Sequence, residues 1–219
     1  MASLLIALKI VPMIFVALFP VVNPIGTALV LYGMTGHVDD KTWTSASRRI
    51  ALNTFLLLSF FFFFGGFILK LFGISIPVVQ LSGGMVVAAI GWGLLNQQEG
   101  QQAPADEKKQ RDSTGSLQTR LFYPYTFPIT VGPGGLAVVM TFGAHLDRES
   151  DLLVTLEQAA AVTGILAIAL VTATCYIRLK FLTKTISPSG ARALSRILAF
   201  FVFCIGVQIA WTGWHTLNS

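Results

Sequence analysis

The chain has 219 residues, of which 54% are apolar and 11% charged, with a mean hydropathy of +0.71 and a net charge of +5. A soluble domain carries roughly 25% charged residues, so this chain has too little charge to wet its surface, and its solvent is lipid. The run Phe60 to Phe64 offers bulky apolar groups to every face of a helix, where a soluble helix keeps one polar face.

A spanning helix needs roughly 20 mainly apolar residues, whereas a barrel strand needs only about 10 in alternation. The sequence predicts six helical spans: Leu4 to Thr35, Ala51 to Phe72, Ile74 to Leu95, Tyr123 to Ala144, Leu152 to Ile177, and Ala193 to Trp214. The fold class is therefore an all-α membrane protein. The first span has no basic cluster ahead of its apolar run and no small-x-small cleavage site, so it is expected to remain as a span. Its 32 residues would make a straight helix of about 48 Å, against a hydrocarbon core of about 30 Å. The run "FPVVNPIG" inside it carries Pro20, Asn23, Pro24 and Gly26. Proline removes a backbone donor and clashes with the preceding turn, and glycine loosens the same place, so a break is predicted there.

Spans two and three hold few polar groups, Asn53, Ser59, Gln80 and Ser82, while Gly83, Gly84, Ala88, Gly91 and Gly93 permit close helix approach. A polar stretch follows, Asn96 to Arg120, almost without large apolar residues. It reads as a flexible linker over 96–122, between a first three-helix repeat over 1–95 and a second over 123–219. The fourth span repeats the opening motif as "FPITVGPGG", with Thr126, Thr130, Gly132, Pro133, Gly134 and Gly135. Spans five and six add Gln158, Thr163 and Gln208, and enclose Cys175 and Cys204, which have no partners at metal-ligand spacing.

Aligning Pro24 with Pro133 places Asn23 on Gly132 and Gly26 on Gly135, and "AIGWGLL" in span three resembles "CIGVQIA" in span six. Three spans per half bring the second half in from the opposite face, so the repeat is inverted, a transporter architecture. Broken helices at that depth must be buried or line a wet cavity. Half-helices beginning after Pro24 and Pro133 direct unpaired amides and a positive dipole end into it. The candidate substrate site is Asn23, Pro24, Gly26, Thr27, Thr130, Gly132, Pro133, Gly134 and Gly135. Such a site suits a small zwitterion, with amides for a carboxylate and carbonyls and an Asn for an ammonium. The alternative is that both motifs merely kink helices for packing.

Basic residues set the orientation. Loops after spans one, three and five hold Lys41, Arg48, Arg49, Lys108, Lys109, Arg111, Arg120, Arg178, Lys180, Lys184, Arg192 and Arg196, which is 12 of the 15. Basic loops stay cytoplasmic, so both termini are expected outside, in a plasma-membrane protein whose first partner is the bilayer. The same topology accounts for the net charge without nucleic acid. All ten acids lie in loops or, for Glu157, close to the outer end of span five. A metal site, a cofactor or an intramembrane enzyme is thus hard to build, and coupling to a cation through backbone carbonyls, or none, fits better than a buried proton carrier.

The "FPVVNPIG" and "PITVGPGG" elements, with six spans and a polar central loop, resemble the MarC family of integral membrane proteins over essentially the whole chain. The resemblance implies transport across the inner membrane, and some members are similar to carriers of small neutral amino acids such as alanine and glycine. A membrane-embedded scaffold or assembly factor stands as the other reading.

Overall fold

A computed structural model describes residues 2–35, 38–96, 117–145, 151–179 and 188–218. Most of the expected linker, residues 97–116, lies outside the described residues. The described regular structure is helical: α1 (Ala2–Val22), α2 (Pro24–Thr35), α3 (Asp40–Leu71), α4 (Ile76–Asn96), an irregular segment Leu117–Thr130, α5 (Pro133–His145), α6 (Asp151–Ile177) and α7 (Pro188–Leu217).

By length and composition, four described helices can cross a membrane: Asp40–Leu71, Ile76–Gly93, Thr155–Ile177 and Ala199–Leu217. Leu117–Thr130 and Pro133–Gly143 make a fifth candidate if a pair bent by 73° counts as one span, and Lys9–Val22 is a shorter apolar helix. The second expected span begins earlier than Ala51. α3 starts at Asp40 because the Asp39 side chain caps it, accepting the Thr42 amide at 3.0 Å. Its first three turns then bury Trp43, Ala46, Ser47 and Ile50 on one face. The helix ends where Gly73 takes φ +67°, with Gly73 N–H bonded to Lys70 O and Ile74 N–H to Leu69 O, the Schellman pattern that satisfies its last carbonyls.

Along α3 the buried stripe runs Trp43, Ser47, Ile50, Thr54, Leu58, Phe62, Gly65, Leu69. The opposite stripe is exposed throughout but changes chemistry, from Lys41, Ser45, Arg48 and Arg49 to Leu52, Leu56, Phe60, Phe63 and Phe67. Arg49 and Lys70 are exposed and bracket 20 residues, about 30 Å of helix, which matches the hydrocarbon thickness. The exposed apolar stripe is a lipid face.

α4 and α7 run antiparallel and meet backbone to backbone. A methyl on Gly84 would strike Ala210 and Gly206; one on Gly91 would strike Phe203, and one on Gly206 would strike Ala88. Span-three glycines 84 and 91 thus act in helix packing, and Gly83 does the same against Ala137 of α5. Elsewhere α1 packs on α6 and α5 on α3, while α3 also packs on α6 and α4 on α5. The core forms two clusters. One joins Ile10, Ile14, Leu18 and Val22 of α1 to Leu58, Phe62, Val131, Val138 and Ile165. The other joins Ala28 and Leu31 of α2 to Trp43, Ile50, Tyr125 and Tyr176.

Candidate functional site

The two clusters meet where the chain is interrupted. α1 ends at Val22, Asn23 takes φ +46°, and α2 begins at Pro24. Left-handed backbone is costly for most residues and tolerated by Asn. Asn23 N–H still bonds Phe19 O at 2.9 Å, so Asn23 closes one helix. It also opens the next, because its Oδ1 accepts the Gly26 amide at 3.2 Å and its carbonyl accepts the Thr27 amide at 2.9 Å. Gly26 has to be small here, since a methyl on it would collide with the Asn23 side chain.

The second interruption is built differently. The expected half-helix before "GPGG" is an irregular segment, Leu121–Thr130, with extended backbone at Tyr123 and Phe127. Each precedes a proline, Pro124 and Pro128, which bars the helical region to its neighbour. Threonine hydroxyls take over carbonyls there: Thr126 Oγ1 donates to Leu121 O and Thr130 Oγ1 to Tyr125 O, each at 2.7 Å. Gly132 then stands where Asn23 stood. Its carbonyl accepts the Gly135 and Leu136 amides at 3.0 and 3.3 Å, but it has no side chain to cap α5. Pro133 takes the first helical position, whose missing N–H costs nothing. The Gly134 N–H belongs to the first turn, which has no intrahelical carbonyl to bond.

Tyr176 of α6 bridges the two interruptions. Its hydroxyl lies 2.9 Å from Thr27 Oγ1 and 2.8 Å from Thr130 Oγ1, and the residue is fully buried. Thr27 Oγ1 also reaches Asn23 O at 2.9 Å, as Thr130 reaches Tyr125 O. Three hydroxyl protons therefore serve four contacts. With both threonines donating to carbonyls, the single tyrosine proton reaches one threonine at a time. Trp43 fixes the tyrosine from behind, its indole N–H donating to Tyr176 O at 2.8 Å.

Thr54 of α3 is also fully buried, and its hydroxyl has no hydrogen-bond partner among the described residues. It stands one turn from both Ile50, which packs with Tyr125 and Tyr176, and Leu58, which packs with Val22 and Val131. The orphan hydroxyl is thus at the level of the breaks. Leaving such a group dry costs about 1–3 kcal/mol, so a polar ligand or water there would be favoured.

Of the residues singled out by sequence, Thr27 and Thr130 are brought together through Tyr176. Asn23, Gly26, Thr27 and Gly132 are half-buried; Pro24, Thr130, Gly134 and Gly135 are buried; Pro133 is exposed. Gly134 faces Val87 and Val21, where a methyl would clash, so its smallness serves packing. Ser82 and Thr163 bond back to their own helices, to Val78 O at 2.8 Å and Ala159 O at 2.7 Å, and Gln208 is exposed. Glu157 is buried, two residues inside the apolar stretch that begins at Thr155. Tyr176 and Thr54 were not singled out. The signal for Thr54 was its place on the Trp43–Ser47–Ile50–Leu58 stripe; for Tyr176 it was a hydroxyl inside a span that needs a partner.

No group of three or more His, Cys, Asp or Glu that could hold a metal occurs among the described residues. The arrangement offers hydroxyls, carbonyls and a helix amide end.

Comparison with known sequences gives a match between residues 8–217 and the MarC family integral membrane protein. The chain is 26% identical over 200 residues to "UPF0056 inner membrane protein MarC" of Salmonella typhimurium, covering 90% of each chain. It is 25% and 24% identical, over the same share, to the proteins of that name from Citrobacter koseri and Escherichia coli. No solved structure matches.

Proposed function

Because the chain belongs to the MarC family of integral membrane proteins, and because two interrupted helices converge on one buried tyrosine, we propose that it is an inner-membrane carrier of small neutral amino acids of the alanine and glycine class. The convergence of Thr27 and Thr130 on Tyr176 is the observation that carries the reading. Kinks made only for packing need not meet; here each break contributes a hydroxyl to one shared contact.

The two breaks have different chemistry, which suits a zwitterion. The first half-helix is capped by Asn23, whereas the Gly134 end of α5 lacks a side-chain cap. A carboxylate is therefore assigned to the α5 amide end, and the ammonium to the oxygens of Thr27, Thr54 and Thr130, with a coupling cation, if there is one, held by the same oxygen-rich surface. In this reading the site serves transport rather than catalysis and uses no cofactor, which a donor set of hydroxyls, carbonyls and amides supports.

Six spans in two inverted repeats are the architecture we infer. It is supported by the contacts, which are self-consistent under exchange of the halves. α1 on α6 becomes the Leu121–Thr130 segment on α3, α2 on α6 becomes α5 on α3, and α4 on α7 maps onto itself. In the α4–α7 seam, "AIGWGLL" and "CIGVQIA" equate Gly91 with Gly206 and Ala88 with Phe203. Gly91 meets Phe203 and Gly206 meets Ala88, as a two-fold axis in the membrane plane requires.

The test is uptake or counterflow of labelled alanine and glycine by purified protein in liposomes. Saturable, protein-dependent flux is expected, and its absence for every small neutral amino acid would overturn the assignment. A scaffold is the second reading, favoured by Asn23 capping Gly26 internally and by Gly134 packing on Val87 and Val21.

A further inference from the structure

The exposed stripe of α3 changes from basic to apolar between Arg49 and Leu52, so its upper part stands at the level of lipid headgroups. Lys41, Ser45, Arg48 and Arg49 recur there at helical spacing on one face. With Asp40 and Thr44 they line a surface groove of about 480 Å³. Ser45 and Arg49 also line a second cavity of about 110 Å³, closed on its far side by Leu117, Gln118 and Leu121. Directly below lie Leu52 at 56%, Leu56 at 54% and Phe60 at 47% exposure.

We propose that Lys41, Ser45, Arg48 and Arg49 hold the phosphate of an anionic phospholipid, whose acyl chains lie along Leu52, Leu56 and Phe60. Charge and register select this occupant together. Three cations face one carboxylate, Asp40, so the groove attracts a phosphodiester. Arginine donates in a planar fork that matches phosphate oxygens, and the Ser45 hydroxyl adds a donor. A soluble anion would use the cations alone; only a lipid also uses the apolar stripe that continues from them without a gap. The opposite end of α3 is the internal comparison. A groove of about 610 Å³ lies beside Phe63, Phe67 and Ile74, but among the described residues Lys70 is the single cation lining it. The two ends of one rod thus differ in headgroup chemistry while sharing the same lipid face.

Native mass spectrometry of the purified protein with phosphatidylglycerol and with phosphatidylcholine of the same chains tests it. Phosphatidylglycerol should be retained preferentially. Arg48→Gln with Arg49→Gln should lower that retention roughly fivefold for each charge removed and leave phosphatidylcholine unchanged. Lys70→Gln should change neither. Arg48→Lys with Arg49→Lys keeps the charge and should restore most of the retention. Lys41→Gln, a single exposed change, should lower it even if the double variant fails to fold. Equal retention of the two lipids, or no loss in the glutamine variants, overturns the proposal. Displacement of the lipid by soluble glycerol phosphate at equal concentration overturns the lipid assignment in favour of a free-anion site.

Discussion

Tyr176 and Thr54 have opposite hydrogen-bond problems. Around Tyr176, four short contacts share three protons, so one contact always lacks a hydrogen. Removing either threonine hydroxyl should then cost less than removing the shared one. Tyr176→Phe is expected to destabilise by about 1–2 kcal/mol, the range for a buried hydrogen bond. Thr27→Val and Thr130→Val should each cost less, and the double variant about as much as Tyr176→Phe. Thermal unfolding in detergent measures the cycle, and strict additivity of the two threonine changes would contradict the shared proton. Thr54 has the reverse trouble, a buried hydroxyl with no partner. Thr54→Val keeps the shape and removes the orphan, so folding stability should hold or rise. If the hydroxyl meets substrate, alanine affinity falls by about 1–1.5 kcal/mol, roughly tenfold. Equal affinity in parent and variant would take Thr54 out of the site. The sequence marks Tyr176 only as a hydroxyl in need of a partner and does not say which, because partnership across 149 positions with Thr27 leaves no local periodicity to read.

At the scale of the helix, the left-handed residue Asn23 lies between α1 and α2, where proline and glycine chemistry is local. What each residue does there does not read from the sequence. Gly26 reads as a loosening residue or a ligand approach, yet it leaves room for the Asn23 side chain that caps the helix. The sign of a substitution should therefore depend on its neighbour. Gly26→Ala in the parent expels the cap and is expected to destabilise by about 1 kcal/mol. In an Asn23→Gly background there is no cap to expel, and the same change should stabilise by roughly 0.5–1 kcal/mol through helix propensity. Melting temperatures of the four proteins decide it; the same sign in both backgrounds would remove the cap as the reason for Gly26. The irregular Leu121–Thr130 segment was less legible. Four-residue spacing of Pro124 and Pro128 restricts both preceding residues, and the threonine bonds that then satisfy Leu121 and Tyr125 span five residues, a period no helical pattern reveals. The early start of α3 escaped for another reason: its first turns carry charge on one face, so apolar length alone undercounts a helix that continues past the lipid.

For the whole molecule, charge and length locate the bilayer independently. Arg49 and Lys70 mark about 30 Å on α3, and that ruler says how deep the protein sits but not which way up. Orientation rests on the basic residues, 12 of 15 of which fall on the side of the loops after spans one, three and five. The Arg49 end of α3 belongs to that side, so it should face the cytoplasm, with both termini outside. The proposed inverted repeat makes the demand stricter, because exchange of its halves reverses the membrane and leaves charge alone to choose between the two insertions. In a protein lacking Cys175 and Cys204, cysteine placed at Asn218 should react with an impermeant thiol reagent in intact cells. Cysteine at Gln110 should react only after lysis. Labelling in the opposite order would turn the whole molecule over while leaving every helix contact unchanged. Labelling of both positions from outside would instead require an even number of crossings between them, and so remove the three that the six-span count places there. Replacing Arg48, Arg49 and Lys41 by glutamine should then yield some molecules inserted each way, since those charges lie nearest the span boundary that positive residues hold inside.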